Sequence, residues 1–217
     1  MKIFLDTANL DEIREASGMG LLDGVTTNPS LIAKENAKFE KRIVEICEIV
    51  HGPVSAEVTS EDLEEMYRQG HELANLHQDV VVKTPTTKQG LMAARRLIQD
   101  GIKINSTLCF SPSQALLVAK IGATYVSPFI GRLDDISQSG TEVLRDIATI
   151  YRNYGFKTQI LAASIRHPIH VIEAAKAGAD IVTMPHKVFR QLFSHPLTEK
   201  GQERFLKDWE QVAELIQ

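Results

Sequence analysis

The segment VVVKTP at residues 80–85 is the clearest guide to the fold, because three valines lead directly into a lysine and a proline. A short β-branched run that ends in polar or turn-forming residues is typical of a buried strand. Seven other segments have this character. The eight predicted strands are KIFLDT (2–7), GVTTN (24–28), VSAEVT (54–59), VVVKTP (80–85), KINSTLC (103–109), YVSPFI (125–130), TQILAAS (158–164) and DIVTMP (180–185).

Segments with helical spacing lie between these strands. From Phe39 to Val50, apolar residues recur three and four positions apart, which predicts an amphipathic helix. Ser60 with Glu64, Thr87 and Ser111 are predicted to mark helix starts. Helix ends are predicted at four glycines: Gly101, Gly122, Gly155 and Gly178. Eight alternations of strand and helix predict an α/β fold with a parallel sheet.

An open, doubly wound sheet would show the same alternation, so the polar strand ends must decide between the two architectures. Polar or reactive side chains end nearly every predicted strand: Asp6, Asn28, Glu57, Lys83, Asn105 with Thr107, Ser127 and Ser164. A closed barrel would bring all of them to one face, whereas an open sheet would scatter several. The sequence therefore predicts a single-domain (β/α)8 TIM barrel over residues 1–217.

Residues 194–217 follow the eighth unit and form the predicted extension. Phe205, Trp209, Val212 and Leu215 recur at helical spacing there, which predicts an extra C-terminal amphipathic helix.

Composition narrows the function classes. The 217 residues are 43% hydrophobic and 24% charged, with a net charge of -4 and no basic block, so a nucleic-acid partner is not expected. No apolar run is long enough to span a membrane, and Asp6 interrupts the N-terminal segment, so a cytoplasmic protein is expected. Cys47 and Cys109 form no pair in the sequence and are predicted to be packed, reduced thiols.

Lys83 has two interpretations. It is either a salt-bridged strand end or a desolvated nucleophilic amine, and taken alone the first is favoured. A free lysine titrates near ~10.4, whereas an amine that attacks a carbonyl at neutral pH needs a pKa nearer ~7 to 8. Burial and cationic neighbours could supply that shift.

Asp6 and Glu57 also have two interpretations, because they could transfer protons or one could neutralise the lysine in an ion pair. Asn28 and Asn105 could bind substrate hydroxyls, although Asn before Pro is also a common turn device. Their predicted meeting at one face favours function.

Arg132 and Arg166, the latter with Ser164, follow strands six and seven and are predicted to bind phosphate. Ion pairs with Asp134 and Asp135 are the alternative for Arg132.

Metal and nucleotide sites are not indicated by the sequence. His167, His170 and His186 lack a carboxylate at ligand spacing and are predicted to lie at helix starts and strand ends. Glycine-rich dinucleotide and ATP motifs are absent from the sequence, so no nucleotide cofactor is expected.

Several motifs together resemble the short, single-domain transaldolases and their relatives, the fructose-6-phosphate aldolases. The matching motifs, which run through essentially the whole chain, are FLDTA (4–8), GVTTNPSLI (24–32), VSAEV (54–58), VVKTP (81–85), INSTLCFS (104–111), SPFIGRLDD (127–135) and AASIRHP (162–168). The resemblance also implies a (β/α)8 barrel.

The resemblance implies that Lys83 forms a Schiff base and that Glu57 and Asp6 transfer protons, while Thr107 helps to hold a catalytic water. Residues implied to surround the dihydroxyacetone unit are Thr26, Asn28, Asn105 and Ser127. Residues implied to bind the phosphate are Arg132, Ser164 and Arg166.

The implied reaction moves a dihydroxyacetone unit between sugar phosphates, from sedoheptulose 7-phosphate to glyceraldehyde 3-phosphate, without a metal or organic cofactor. Glu57 and Phe129 match the transaldolases, whereas the aldolase relatives carry Gln and Tyr there. The alternatives are a fructose-6-phosphate aldolase and a non-catalytic sugar-phosphate binding barrel. The family also implies a homo-oligomer, a pentamer or decamer, in which the C-terminal helix crosses to a neighbouring subunit.

Overall fold

The structure is a computed structural model that describes residues 1–215, apart from the side chains of residues 211 and 213–215. Residues 216 and 217 of the predicted extension, and the predicted contribution of the Leu215 side chain, therefore lie outside the described part of the chain.

Eight parallel strands close into a barrel in chain order. They are β1 (Lys2–Asp6), β2 (Gly24–Thr26), β3 (Val54–Glu57), β4 (Val80–Pro85), β5 (Ile104–Cys109), β6 (Tyr125–Pro128), β7 (Gln159–Ala162) and β8 (Ile181–Met184). Closure is direct, since Leu5 of β1 pairs with Met184 of β8. An open sheet would leave these two strands as edges, so the prediction of a (β/α)8 barrel is confirmed.

Helices follow or connect the strands around the barrel. They are α1 (Leu10–Gly18), α2 (Pro29–Lys34), α3 (Phe39–Val50), α4 (Leu63–Ala74), α5 (Lys88–Gln99), α6 (Pro112–Ile121), α7 (Ile130–Asp134), α8 (Gly140–Tyr154), α9 (Pro168–Ala177), α10 (His186–Gln191) and α11 (Pro196–Leu215). The bounds of α3 match the predicted helix, and α11 is the predicted extra helix.

Helix ends follow the expected chemistry with one exception. The side chains of Thr87 and Ser111 accept hydrogen bonds from Gly90 and Gln114 and cap α5 and α6, as predicted. The helix start predicted at Ser60 with Glu64 is present, since α4 begins at Leu63, but Ser60 is not its cap: the carboxylate of Asp62 accepts from the Glu65 N–H and caps the helix. Ser60 accepts a hydrogen bond from the Asp62 N–H, so it shapes the turn that precedes the helix.

The predicted glycine stops are confirmed. Gly122, Gly155 and Gly178 end α6, α8 and α9 in the left-handed conformation, and Gly101 takes it one residue after the cap of α5. A positive φ at a helix end costs glycine little because it has no Cβ.

The barrel interior is divided into an apolar layer and a polar layer. The apolar cluster consists of Phe4, Val81, Tyr125, Leu161, Ala163 and Ile181. Phe4, Val81 and Tyr125 each lie two residues before a polar residue at the carboxyl end of the same strand. Because side chains alternate along a strand, each pair faces the barrel interior. The apolar layer therefore forms a closed floor beneath the polar side chains.

Cys47 and Cys109 are free and buried, as predicted. Burial raises the pKa of the Cys47 thiol to about 12 and that of Cys109 to about 11, so both stay protonated at neutral pH. Within residues 1–215, no helix has the length and apolar character needed to cross a bilayer.

Candidate active site

One pocket lies at the carboxyl ends of the strands and encloses about 210 Å³. Nine of the twelve predicted site residues line it: Asp6, Thr26, Asn28, Lys83, Ser127, Phe129, Arg132, Ser164 and Arg166. The other three, Glu57, Asn105 and Thr107, lie on β3 and β5, the neighbours of the lysine strand β4. The strand ends thus converge as the barrel argument predicted.

Lys83 is only 5% exposed and is held by two acceptors. Its Nζ donates to the Thr27 carbonyl at 3.1 Å and to Glu57 Oε2 at 2.9 Å. Glu57 and Lys83 are register partners on adjacent strands, which fixes this contact. The ion pair considered from the sequence is therefore present, and the same geometry places a carboxylate where it can take a proton from the amine.

Asp6 lines the same pocket and accepts a hydrogen bond from Thr26 Oγ1 at 2.8 Å. The Thr26 hydroxyl also lies 2.7 Å from that of Thr183. Burial raises the pKa of the Asp6 carboxyl, and the charge of Lys83 opposes the rise only in part. Asp6 is thus a more basic carboxylate than an exposed aspartate.

Asn105 is fixed by two neighbours and is fully buried. Its Oδ1 accepts from Ser127 Oγ at 2.7 Å, and its Nδ2 donates to Ser55 Oγ at 3.0 Å. Ser127 lines the pocket, so the network connects the pocket surface to the barrel interior.

Thr107 is buried, and its Oγ1 has no hydrogen-bond partner among the described residues. It lies where the register of β5 shifts between Ser106 and Cys109, beside Leu108 at φ +55°. Buried hydroxyls are nearly always satisfied, often by an ordered water, and bulges commonly aim side chains near active sites.

Asn28 caps helix α2, because its Oδ1 accepts from the Leu31 N–H at 3.0 Å. The turn role considered from the sequence is thus present. The residue also lines the pocket, and within the described part of the chain its Nδ2 group is not engaged. Both interpretations of Asn28 are compatible with this geometry.

The two arginines lie on the β6 and β7 side of the pocket. Arg132 places its guanidinium 5.0 Å from the centre of the Phe129 ring and is in no ion pair with another described residue. The alternative that paired Arg132 with Asp134 or Asp135 was wrong. Asp135 pairs instead with Arg166, at 2.7 Å, across the gap between two loops.

Gly131 is a site residue that the sequence reasoning did not single out. A Cβ there would lie 2.1 Å from the Ser164 carbonyl oxygen and 2.8 Å from the Arg166 side chain. Ser164 itself has φ +60°, a conformation that non-glycine residues rarely adopt. The glycine between Ile130 and Arg132 in SPFIGR was the available signal for this close approach.

The three histidines do not form a metal site, and no group of three or more potential metal ligands occurs among the described residues. His167 directly precedes α9 and His186 begins α10, as predicted. His170 lies inside α9, where it is 6% exposed.

The chain is similar to known proteins over nearly its whole length. Residues 3–216 match the family model described as Transaldolase/Fructose-6-phosphate aldolase. The chain is 56% identical over 216 residues to a protein of Petrotoga mobilis named "Probable transaldolase", with 100% of this chain and 98% of that protein covered. It is 60% identical over 211 residues to a protein of the same name from Kosmotoga olearia, with 97% of each covered.

A solved structure shares the fold. The thiamine phosphate pyrophosphorylase of Pyrococcus furiosus has a TM-score of 0.56 and 17% identity, over 84% of this chain and 85% of that one. At this identity the likeness concerns the barrel alone. The family match and the full-length relatives go further, and together they show that the chain belongs to the transaldolase/fructose-6-phosphate aldolase family.

Proposed function

We propose that this protein is a transaldolase that transfers a dihydroxyacetone unit from a ketose phosphate to an aldose phosphate through a Schiff base on Lys83. One observation carries the proposal: a 5% exposed lysine is paired with Glu57 and lines a pocket that also holds Asp6 and, on its other side, two arginines. A sugar-binding barrel without catalysis would not need the buried amine.

The first step is carbinolamine formation. Glu57, 2.9 Å from Nζ, accepts the proton that Lys83 must lose before it adds to the ketose carbonyl. Water then leaves to give an iminium. The unpartnered hydroxyl of Thr107 supports a role in holding that water.

The second step is carbon–carbon cleavage. Asp6 takes the proton from the C4 hydroxyl, the C3–C4 bond breaks, and its electron pair moves towards the iminium nitrogen to leave a neutral enamine on Lys83. The raised pKa of Asp6 makes it a stronger base for this transfer. The aldose phosphate departs, the enamine attacks a second aldose phosphate, and hydrolysis of the resulting iminium releases the new ketose.

Substrate binding divides between the two sides of the pocket. The proposed residues for the dihydroxyacetone hydroxyls are Thr26, Asn28, Asn105 and Ser127. The proposed residues for the phosphate are Arg132, Ser164 and Arg166. The Phe129 ring lies 5.0 Å from the Arg132 guanidinium, so it borders the proposed phosphate residues.

The aldolase is the second candidate function, because both activities share the Lys83 enamine. Glu57 and Phe129 favour transfer: a carboxylate can relay a proton through water to the acceptor oxygen, and a phenyl ring offers no proton to the enamine carbon. Turnover of fructose 6-phosphate with and without an acceptor aldose distinguishes the two reactions.

Assembly is also part of the proposal. The chain is taken as one barrel domain whose residues 194–217 dock on a neighbouring subunit of a pentamer or decamer. Support comes from α11, where Phe205, Trp209 and Val212 are 73%, 61% and 44% exposed. Deletion from Thr198 onward should give smaller species by light scattering. A cytoplasmic location stays a prediction from the sequence.

The decisive experiment is borohydride reduction in the presence of fructose 6-phosphate, followed by mass spectrometry of peptides. A three-carbon adduct on Lys83 is expected. Lys120→Met, an exposed lysine of α6, serves as the control and should keep the adduct, whereas Lys83→Met should lose it. An adduct on another lysine, or none in the wild type, would contradict the proposal.

A further inference from the structure

His170 lies directly behind the two arginine segments and is 6% exposed. The backbone N–H of Arg166 donates to its Nδ1 at 3.3 Å. Its Nε2 lies 2.8 Å from Oδ2 of Asp134, at the end of the helix that carries Arg132. One imidazole therefore joins the loop after β7 to helix α7.

The contacts fix the protonation state of the ring. Because Nδ1 accepts a hydrogen bond, it carries no proton, and the single proton of the neutral ring lies on Nε2, facing the Asp134 carboxylate. The other oxygen of Asp134 accepts from the Gly140 N–H at 2.9 Å, which connects α7 to the start of α8. A second proton on His170 would place two donors against each other at Arg166.

Other contacts hold the same two segments together. Ile130 N donates to the Ala163 carbonyl at 3.1 Å, and Gly131 packs against the Ser164 carbonyl. These backbone contacts end at Ser164, and the Arg166 side chain is held further along by Gly131 and by the ion pair with Asp135. The backbone N–H of Arg166 lies beyond the backbone contacts. His170 alone among the described side chains accepts from the Arg166 backbone.

We propose that His170, as the neutral Nε2–H tautomer, is a positioning residue that sets the separation of Arg132 and Arg166 and so determines the affinity of the pocket for phosphorylated sugars. The inference rests on the proposed function, because it takes these arginines as the phosphate-binding groups. His170 itself is enclosed behind them and contacts no substrate.

The charged and titratable groups that face His170 are His167, Asp134 and Arg166, with Asp135 paired to that arginine. Burial and the neighbouring His167 lower the pKa of His170, and Asp134 opposes them only in part. The neutral tautomer thus persists at neutral pH and is lost as the solution becomes more acidic.

The test measures the affinity for fructose 6-phosphate by calorimetry in a Lys83→Met background, where no covalent chemistry intervenes. His170→Phe keeps the ring and removes both nitrogens, so the affinity should fall about tenfold. His170→Asn restores an acceptor near the Nδ1 position and should regain part of the loss. His167→Phe, which changes the neighbouring ring, is the matched control and should stay near the parent value.

Asp134→Asn provides a second, isosteric variant in case His170→Phe folds poorly. An amide must meet either the Gly140 N–H or the His170 Nε2–H with its own donor, or force the other tautomer. It should therefore weaken binding of fructose 6-phosphate as well. When Asp134→Asn is made in the catalytically active enzyme, KM for glyceraldehyde 3-phosphate should rise about tenfold. Both kcat and the turnover of unphosphorylated glyceraldehyde should stay unchanged.

Acid provides an independent readout. As the pH decreases below ~6.5, the affinity of the Lys83→Met parent for fructose 6-phosphate should fall more steeply than that of the His170→Asn variant. The variant has no imidazole at this position, whereas the phosphate of the ligand titrates equally in both measurements. Equal pH profiles, or losses that are equal for glyceraldehyde and glyceraldehyde 3-phosphate, would overturn the positioning role. A parent protein that does not prefer fructose 6-phosphate to fructose would overturn the arginine site and the inference together. A parent with that preference and unaffected His170 variants would overturn the inference alone.

Discussion

On the β3–β5 side of the pocket, Lys83 is 5% exposed and its neighbours are held by strand register, whereas on the β6–β7 side the Arg166 side chain is 49% exposed and is held by loops. The first side can exclude water around a reacting amine. The second side leaves a charged group accessible to substrates that carry phosphate. The difference indicates that bond making and substrate recognition place opposite demands on burial, and the barrel meets them on separate strands.

The largest effect should come from the buried side. Lys83→Met should lower the transfer rate by ~10⁴-fold or more, because the covalent route is lost. Turnover of the Lys83→Met variant at the wild-type rate would show that Lys83 has no covalent role. Steady-state assays of transfer from fructose 6-phosphate provide the measurement.

The same substitution should also lower the free energy of unfolding. Lys83→Met leaves Glu57 without its counter-charge, yet Glu57 is 16% exposed, so the loss should stay below the ~3–5 kcal/mol typical of fully buried pairs. Adding Glu57→Gln should restore much of the free energy of unfolding without restoring activity. Chemical denaturation of the single and double variants tests this.

The arginine side should give a smaller effect that is specific to substrate. Arg132→Ala and Arg166→Ala should each raise KM for phosphorylated sugars by ~10-fold or more, since a charge-assisted hydrogen bond contributes ~1.5 to 3 kcal/mol. Arg132→Ala should have the larger effect, because Arg166 already shares its charge with Asp135.

Arg152, on the last turn of α8, is the control for these variants and should leave KM unchanged when replaced by Ala. If Arg132→Ala reduced turnover of unphosphorylated glyceraldehyde to the same extent, the arginine would not be a phosphate ligand.

Phe129→Tyr tests whether this residue determines the fate of the enamine on Lys83, release of dihydroxyacetone or transfer. A phenol there would place a hydroxyl near the enamine, so release of free dihydroxyacetone should increase relative to transfer. A difference of ~1.4 kcal/mol between the two barriers gives a tenfold change in the ratio. Adding Glu57→Gln should weaken transfer further. An unchanged ratio of acceptor-independent to acceptor-dependent turnover would make Phe129 a packing residue only.

The smallest effect concerns Asp6. Its pKa is raised in the folded protein, so the folded state holds that proton more tightly than the unfolded state, where an aspartate titrates near ~3.9. Stability should therefore fall as pH rises from ~3.9 through the raised pKa, and this contribution should be missing in Asp6→Asn. Comparing the pH dependence of unfolding in the two proteins isolates it. Parallel curves would mean that Asp6 titrates normally.

The sequence predicted the fold well because its signals were local. Nearly every strand ended near a polar residue, and Thr87, Ser111 and the glycine stops acted within one turn. Ser60 is not the cap of α4, because Asp62, two residues later, is an equally good capping residue and lies closer to the helix. Local pattern cannot rank two such candidates.

The site was predicted less completely, because several of its contacts join distant segments. Asp135 lies three residues from Arg132 but pairs with Arg166, and Gly131 is required by a carbonyl thirty-three positions away. His170 was grouped with the other histidines, since nothing in its neighbourhood along the chain shows that its ring reaches Asp134. Such contacts depend on how β6 and β7 are joined in space.

Helix α11 also carries the single tryptophan of the chain, Trp209, which is 61% exposed. Indole emission responds to solvent, so the intrinsic fluorescence of this protein reports on α11 and not on the barrel. Docking of the helix against another subunit should shift the emission to shorter wavelength, and dilution should reverse the shift. The protein therefore has a built-in optical probe of its own association, which needs no label and leaves Lys83 untouched.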